Sequence, residues 1–302
     1  MYQIKSPVLL LVFNRPDTTQ LVFEQIRKGK PDKLYIAADG ARDNKDGEKE
    51  LCQQTRELLN IDWDCEVKTL FRENNLGCKL AVSGGIKWFF ENEEEGIVLE
   101  DDCLPNEDFF RFCDSLLEKY RFDTRIMHIG GTNLLSKKFG TDTYYFSKFT
   151  NVWGWASWRR VWVNYDENLD KLDEFIKLDL LKYVYQKDTV RKYLTNAFIQ
   201  TRNNYINTWD YQYAFLNFWN NGLSVCPNYN MITNIGFNER GTHTNEVDHK
   251  LANLPLESFD EITHPKFFVP IIDADYSIFE MEEINLAMRV RKKLKRVVAK
   301  FL

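Results

Sequence analysis

The sequence predicts an α/β protein, a mainly parallel sheet flanked by helices and followed by a helical C-terminal extension. Three observations carry this. Short apolar runs recur through the first half, helix-like stretches alternate with them, and each run ends abruptly in a polar or glycine-containing break. Strands that alternate with helices are joined by crossovers, which favours a parallel sheet covered on both faces.

The elements follow in order. Val8 to Phe13 (VLLLVF) is apolar throughout, as a strand buried on both faces must be. Asn14-Arg15-Pro16 breaks it, and Asp17 with Gln20 three residues on reads as a helix N-cap. Leu34 to Ala38 is a second strand, ending at Asp39-Gly40. Glu66 to Phe71 is a third, followed by Asn74-Asn75-Leu76-Gly77 and a helix carrying Leu80, Trp88 and Phe89. Gly96 to Leu99 is a fourth and ends at Glu100-Asp101-Asp102. Ile126 to Ile129 reads as another strand, with His128 packed in its core. A tryptophan-rich loop then precedes helices near 171–186, 189–203 and 208–220. Residues 250–284 carry no readable pattern.

Composition narrows the class. With 44% hydrophobic and 28% charged residues the chain lies in the globular range, not the disordered one. Six scattered cysteines form no C-x-x-C pair or zinc-like cluster, and the start carries no secretory signal, so reduced thiols are expected. No run reaches the roughly 18 apolar residues that span a bilayer. Net charge is −5, but seven basic residues and no acidic ones fall between Arg289 and Leu302. The remainder holds 33 basic against 45 acidic residues, which excludes general affinity for nucleic acid.

Ligands of such sheets bind beyond the carboxyl ends of the strands. Asn14-Arg15, Asp39-Gly40 and Glu100-Asp101-Asp102 all lie at those ends and are expected to converge on one crevice. Three acids directly after an apolar strand cannot all be buried unpaired. A divalent cation, Mn²⁺ or Mg²⁺, resolves the charge, because one or two carboxylates and a diphosphate can complete its shell. The tryptophans of the second half, Trp153, Trp155, Trp158, Trp162, Trp209 and Trp219, suit either a core or the faces of sugar rings.

The order F-N-R at 13–15, A-D-G at 38–40, N-L-G at 75–77 and E-D-D at 100–102 followed by L-P-N-E-D-F-F resembles GT-A glycosyltransferases, most of all the N-acetylglucosaminyltransferase I family and its bacterial relatives. The likeness covers residues 5–245. It implies a Rossmann-like nucleotide-diphospho-sugar transferase fold. A catalytic domain would span 1–250, nucleotide-binding to about 125 and acceptor-binding beyond, with an extension over 251–302. It implies that Asp102 ligates the metal, Asp101 meets the ribose or metal-linked waters, and Glu100 approaches the donor sugar. Asp39 would read the nucleobase, and Arg15 would sit against base or phosphate. Thr208-Trp209-Asp210-Tyr211 resembles the family's W-D segment, which makes Asp210 the general base of an inverting transfer; a helix N-cap is its structural alternative. Ile235-Gly236-Phe237 leading to Gly241-Thr242-His243-Thr244 resembles the end of the same domain, where a histidine sits near the metal, here His243. Asn151-Val152-Trp153-Gly154-Trp155 would line the acceptor side.

The implied function is metal-dependent, inverting transfer of N-acetylglucosamine or another hexose from a UDP-sugar donor to a glycan or lipid-linked oligosaccharide acceptor. A retaining transferase of the same fold and a non-catalytic, membrane-associated carbohydrate-binding protein are the alternatives. A sugar-nucleotide pyrophosphorylase would need a glycine-rich N-terminal loop, which F-N-R-P lacks. Residues 285–302 read as a basic amphipathic helix suited to an anionic membrane surface, which implies a cytoplasmic protein held at the inner face of the membrane.

Overall fold

A computed structural model of the protein describes residues 2–135, 137–237 and 250–281. His243 and the basic stretch 285–302 lie outside the described residues. The first half alternates as its sequence demands: β1 (Val8–Val12), α1 (Pro16–Gly29), β2 (Lys33–Ala38), α2 (Glu48–Glu57), β3 (Glu66–Phe71), α3 (Gly77–Asn92) and β4 (Glu95–Glu100). These four strands pair in parallel, in the order β3-β2-β1-β4. Every residue of β1 is buried, because α1 and α3 cover the sheet on either side. β3 lies at the edge and alternates between exposed and half-buried positions.

The second half continues the same sheet in another sense. It comprises β5 (Cys103–Pro105), α4 (Glu107–Tyr120), β6 (Ile126–Gly130), β7 (Tyr144–Ser147), β8 (Trp155–Trp158), α5 (Arg159–Trp162), α6 (Leu172–Lys177), α7 (Asp188–Arg202), α8 (Asp210–Trp219), β9 (Leu223–Pro227) and β10 (Ile232–Asn234). β8 joins β4 and β6 antiparallel, and β6, β9 and β7 complete an eight-stranded sheet in which four of seven pairings are parallel. β5 and β10 form a separate antiparallel pair.

Two expectations from the sequence need correction. The first helix begins at Pro16, not at an Asp17 cap: proline tolerates the first helical position, and the Arg15 side chain is committed elsewhere. The stretch from Asn151 to Trp155 does not stay in a loop throughout. Trp155 opens β8 and is fully buried between His128, Trp209 and Tyr213, with ring centroids 5.7, 5.8 and 5.1 Å away. Trp158, Trp162 and Trp209 are buried in the same cluster, so these rings are core. Their apolar area is large, and β8 lies in mid-sheet, where nothing smaller fills the space. His128, buried in the same stack, accepts or donates through Nε2 to the Asn151 carbonyl at 2.8 Å, and burial pushes its pKa down to about 3.

Residues 250–281 clasp the sheet. The segment leading into Pro270 runs beside the edge strand β7, with Thr143 bonded to Thr263 and the Ile271 amide donating to the Phe146 carbonyl at 2.8 Å. Helical residues 272–281 then carry Asp275 into the interior, where it accepts from the Ser147 hydroxyl, the Lys148 amide and the Tyr185 hydroxyl. Burial raises its pKa from 3.8 to about 6, against the pull of those donors. The folded state therefore holds a proton here more tightly than the unfolded chain. The stabilisation this gives is complete below the unfolded value and is lost as pH rises through about 6. Urea titrations should find the wild type losing about 2–3 kcal/mol relative to Asp275→Asn across that window; a difference independent of pH would refute the assignment.

Candidate active site

The carboxyl ends of β1, β2 and β4 open into a cleft of about 300 Å³ lined by Phe13, Asn14, Arg15, Asp39, Arg42, Arg72, Asn75, Gly77, Cys78, Glu100, Asp101 and Asn207 among others. The parallel register sets Glu100 beside Leu11, so the two residues after it fall against the turn that leaves β1. There the Phe13 amide donates to Asp101 Oδ2 at 3.2 Å. The Arg15 guanidinium spans both aspartates, from Nη2 to Asp101 Oδ1 at 2.5 Å and from Nη1 to Asp102 Oδ2 at 2.9 Å. All three side chains are largely buried, and this fork geometry is what a guanidinium offers that an ammonium does not.

One cation faces three acids. Burial, and then the charges of Asp102 and Asp101, raise the Glu100 pKa above the carboxylate range, with the more distant Asp210 adding to the effect. Asp101 is raised too, by burial, with Arg15 opposing. The excess negative charge and the hard oxygen donors fit a divalent cation. The Asp102 carboxylate meets the chain arriving from β10. The Ile235 amide donates to the Asp102 carbonyl at 2.9 Å, and a Cβ on Gly236 would stand 2.2 Å from Asp102 Oδ2 and 2.8 Å from Arg15 Nη1. Only glycine lets that segment lie so close. No three His, Cys, Asp or Glu side chains converge on one ion position among the described residues. Substrate phosphates and water would have to supply the other ligands.

Asp39 is buried at the end of β2, and four donors reach its carboxylate. They are the amides of Gly40, Leu76 and Gly77 and the Asn75 side chain, at 2.9 to 3.2 Å. It thereby ties the Asn75-Leu76-Gly77 turn, and the start of α3, to the sheet. Arg56 braces the same corner, donating to the carbonyls of Asp39 and Arg72.

Asp210 is the first residue of α8, one position inside the cap held by Trp209. Its Oδ1 accepts from the Thr208 hydroxyl at 2.6 Å and from the Tyr211 amide at 2.8 Å, and Oδ2 has no partner among the described residues. It lines a second cavity of about 170 Å³ with Asn151, Val152, Trp153, Tyr193 and Tyr211. Asn207 lines the first and its Oδ1 accepts from the Lys79 amide at 3.3 Å, while Asp210 bears on both Glu100 and Cys78 electrostatically. Cys78, pushed up to about 12 chiefly by burial, is a wall and not a nucleophile.

The structure thus brings Arg15, Asp39, Glu100 and Asp101 to one cleft, pairs Asp102 with Arg15 at its edge, and places Asp210 in a separate cavity. It pairs Arg15 with carboxylates where a base or phosphate was expected to be its partner. Arg42, Arg72, Cys78 and Asn207 were not singled out by the sequence. Of these only Asn207 had a signal, its position just ahead of the segment from Thr208 to Tyr211.

No protein-family model and no curated protein matches the chain. Among solved structures it is similar to a mannosyltransferase from Pyrobaculum calidifontis in complex with GDP-Man and Mn²⁺, with 13% identity and a TM-score of 0.35 over 52% of this chain and 46% of that one. The match therefore spans less than half of that enzyme. A 4-diphosphocytidyl-2C-methyl-D-erythritol synthase from Anaerococcus prevotii has 11% identity and a TM-score of 0.32, covering 58% of this chain and 84% of its own. A UDP-glucose pyrophosphorylase complexed with UDP-glucose has 9% identity and a TM-score of 0.33, covering 55% of this chain and 82% of its own. Likeness this slight assigns neither family nor activity.

If Arg15 is the internal counter-ion of the acidic turn, Arg15→Ala strips two buried carboxylates of their partner and should cost about 3–5 kcal/mol. Mn²⁺ should then raise the melting temperature of the variant more than that of the wild type. Equal shifts in calorimetry would count against the cation fit.

Proposed function

We propose that the protein is a metal-dependent, inverting glycosyltransferase that uses a nucleotide diphosphate sugar. One observation carries the reading: acidic residues at the strand ends border one cleft, and Asp210, whose charge bears on Glu100, lines a second cavity with a carboxylate oxygen that has no partner among the described residues. A donor in the first cavity and an acceptor in the second would meet between Glu100 and Asp210. The acceptor hydroxyl would attack the anomeric carbon from the face opposite the diphosphate, forming the new C–O bond as the bond to the diphosphate breaks. Its proton would pass to Asp210 Oδ2. Thr208, by holding Oδ1, is a positioning residue that leaves Oδ2 for this task. Asp102 would hold a divalent cation, which when bound neutralises the leaving diphosphate.

The finer assignment rests on the sequence resemblance. It favours a UDP-sugar, N-acetylglucosamine or another hexose, as donor, and a glycan or lipid-linked oligosaccharide as acceptor. Asp39, Arg15, Glu100 and Asp101 would serve the donor and His243 the metal. Since Asp39 already receives four donors, its part in base recognition would be to shape the Asn75 turn as much as to meet the base. A non-catalytic carbohydrate-binding role loses its main support, because the tryptophans that suggested it are mostly core. A nucleotidyltransferase is disfavoured by the turn after β1, which offers no glycines for a triphosphate.

Calorimetry of UDP into metal-free and Mn²⁺-loaded protein tests the donor site: metal-dependent binding lost in Asp102→Ala is expected. No nucleotide binding under either condition would end the proposal. Asp210→Asn should retain donor binding and lower turnover by about 10²-fold or more, and the product anomer, read by NMR, should be inverted. Turnover within a few-fold of wild type would remove Asp210 from the role.

A further inference from the structure

A second surface of the molecule has its own chemistry, and it does not depend on the transferase reading. A shallow cavity of about 380 Å³, remote from β1 and β4, is lined by Arg125, Tyr183, Phe268, Pro270 and Ile272 among others. Around it stand large apolar side chains that the fold leaves in solvent: Phe267 is 70% exposed, Val269 65% and Tyr183 75%. Phe122, three residues before Arg125, is 89% exposed. Scattered exposed apolar residues are ordinary, but here Tyr183 lines the cavity and Phe267 and Val269 alternate along the chain with Phe268 and Pro270 of the same lining, so exposed apolar side chains gather at its border.

The aromatic rings here carry cations. Lys266 lies over Phe267 at 5.6 Å, Arg125 over Phe268 at 3.8 Å and Lys182 over Tyr183 at 5.0 Å. Arg125 also pairs with Asp123, and Lys182 loosely with Asp179 at 3.8 Å. Lys266 has no ion-pair partner among the described residues. An aromatic ring beside an ammonium or guanidinium is the combination that suits a lipid interface, the ring at headgroup depth and the cation at the phosphates. Helical residues 272–281 start at the rim of this cavity, and the sequence beyond them gathers seven basic residues and no acidic ones between Arg289 and Leu302.

We propose that the face formed by residues 180–184 and 264–272 docks on an anionic membrane surface, with Phe267 and Val269 entering the headgroup region. One weak anchor holds a protein only marginally, and a second signal converts this to stable attachment. The exposed face would be one such signal and the basic terminal stretch another.

The test is co-sedimentation of the full chain with phosphatidylcholine vesicles, with and without phosphatidylglycerol, beside a Phe267→Ser/Val269→Ser double variant and Lys266→Glu. These side chains are exposed, so both variants should melt as the wild type does. The wild type should bind the anionic vesicles alone, increasingly weakly as salt rises, and the double variant should bind about tenfold less. Lys266→Glu should weaken binding by a few-fold. Wild-type affinity in both variants, no vesicle binding at all, or equal binding to neutral vesicles would overturn the proposal. So would a concentration-dependent dimer that the double variant abolishes, since the face would then be a contact between copies.

Discussion

The fork from Arg15 to Asp101 and Asp102 is the constraint on which the site depends. β4 is buried on both faces and runs straight into three acids, a sequence that costs dearly unless charge is returned to it. The link between β1 and α1 supplies the nearest guanidinium, and it comes from a residue whose backbone also opens α1. Sheet register, helix start and site charge are thus set together: moving α1 by one residue would withdraw the cation from the acids. Proline at position 16 guards against that slip, because its fixed φ and missing N–H suit only the first helical turn.

A single positive charge among three acids leaves a site poised for more. Glu100 responds by holding its proton, the cheaper course in a place poor in water. The glycine at 236 lets the chain from β10 close over Asp102 without a side chain filling the space that a ligand's oxygens would need. Asp39 works differently. Its carboxylate is spent on backbone amides, and it makes the turn at Asn75 a rigid wall of the cleft. Two acids at the ends of the strands that flank β1 therefore have opposite electrostatic roles, one satisfied by its own chain and the other left in deficit.

The sequence disclosed the first half well because each strand there is a local pattern. VLLLV needs no knowledge of its neighbours to be a strand buried on both faces, and the acids at its partners' ends point to one crevice once the sheet is parallel. The second half was harder to read, since β7, β8 and β9 are short and owe their state to pairing with distant strands. Trp155 illustrates the difficulty: flanked by Gly154 it looks like a loop residue, and only the antiparallel pairing with Val98 makes it the centre of the core. The same holds for residues 263–271, which have no periodicity of their own and take their course from the edge of β7. Arg15 was seen, but its partners were not, because a residue's counter-ion lies across the fold.

The switch of sheet sense at β8 bears on how two substrates could meet. A wholly parallel sheet would present all its strand ends to a single nucleotide-binding crevice. By reversing direction after β4, the chain carries the α7–α8 connection back towards that crevice, so that Asn207 lines it and reaches α3, and the charge of Asp210 is felt at Glu100. The donor-side acids and the proposed base thus belong to halves of the chain joined by one antiparallel pairing, β4 with β8, and by the tryptophan core beneath it. Trp209 is itself part of that core, stacked on Trp155, and it immediately precedes Asp210. The position of the carboxylate is consequently fixed by packing and not by a loop, as preorganised chemistry requires. A smaller residue at Trp155 would loosen Asp210 without touching either cavity, which makes the buried aromatic cluster a determinant of the site as well as of stability.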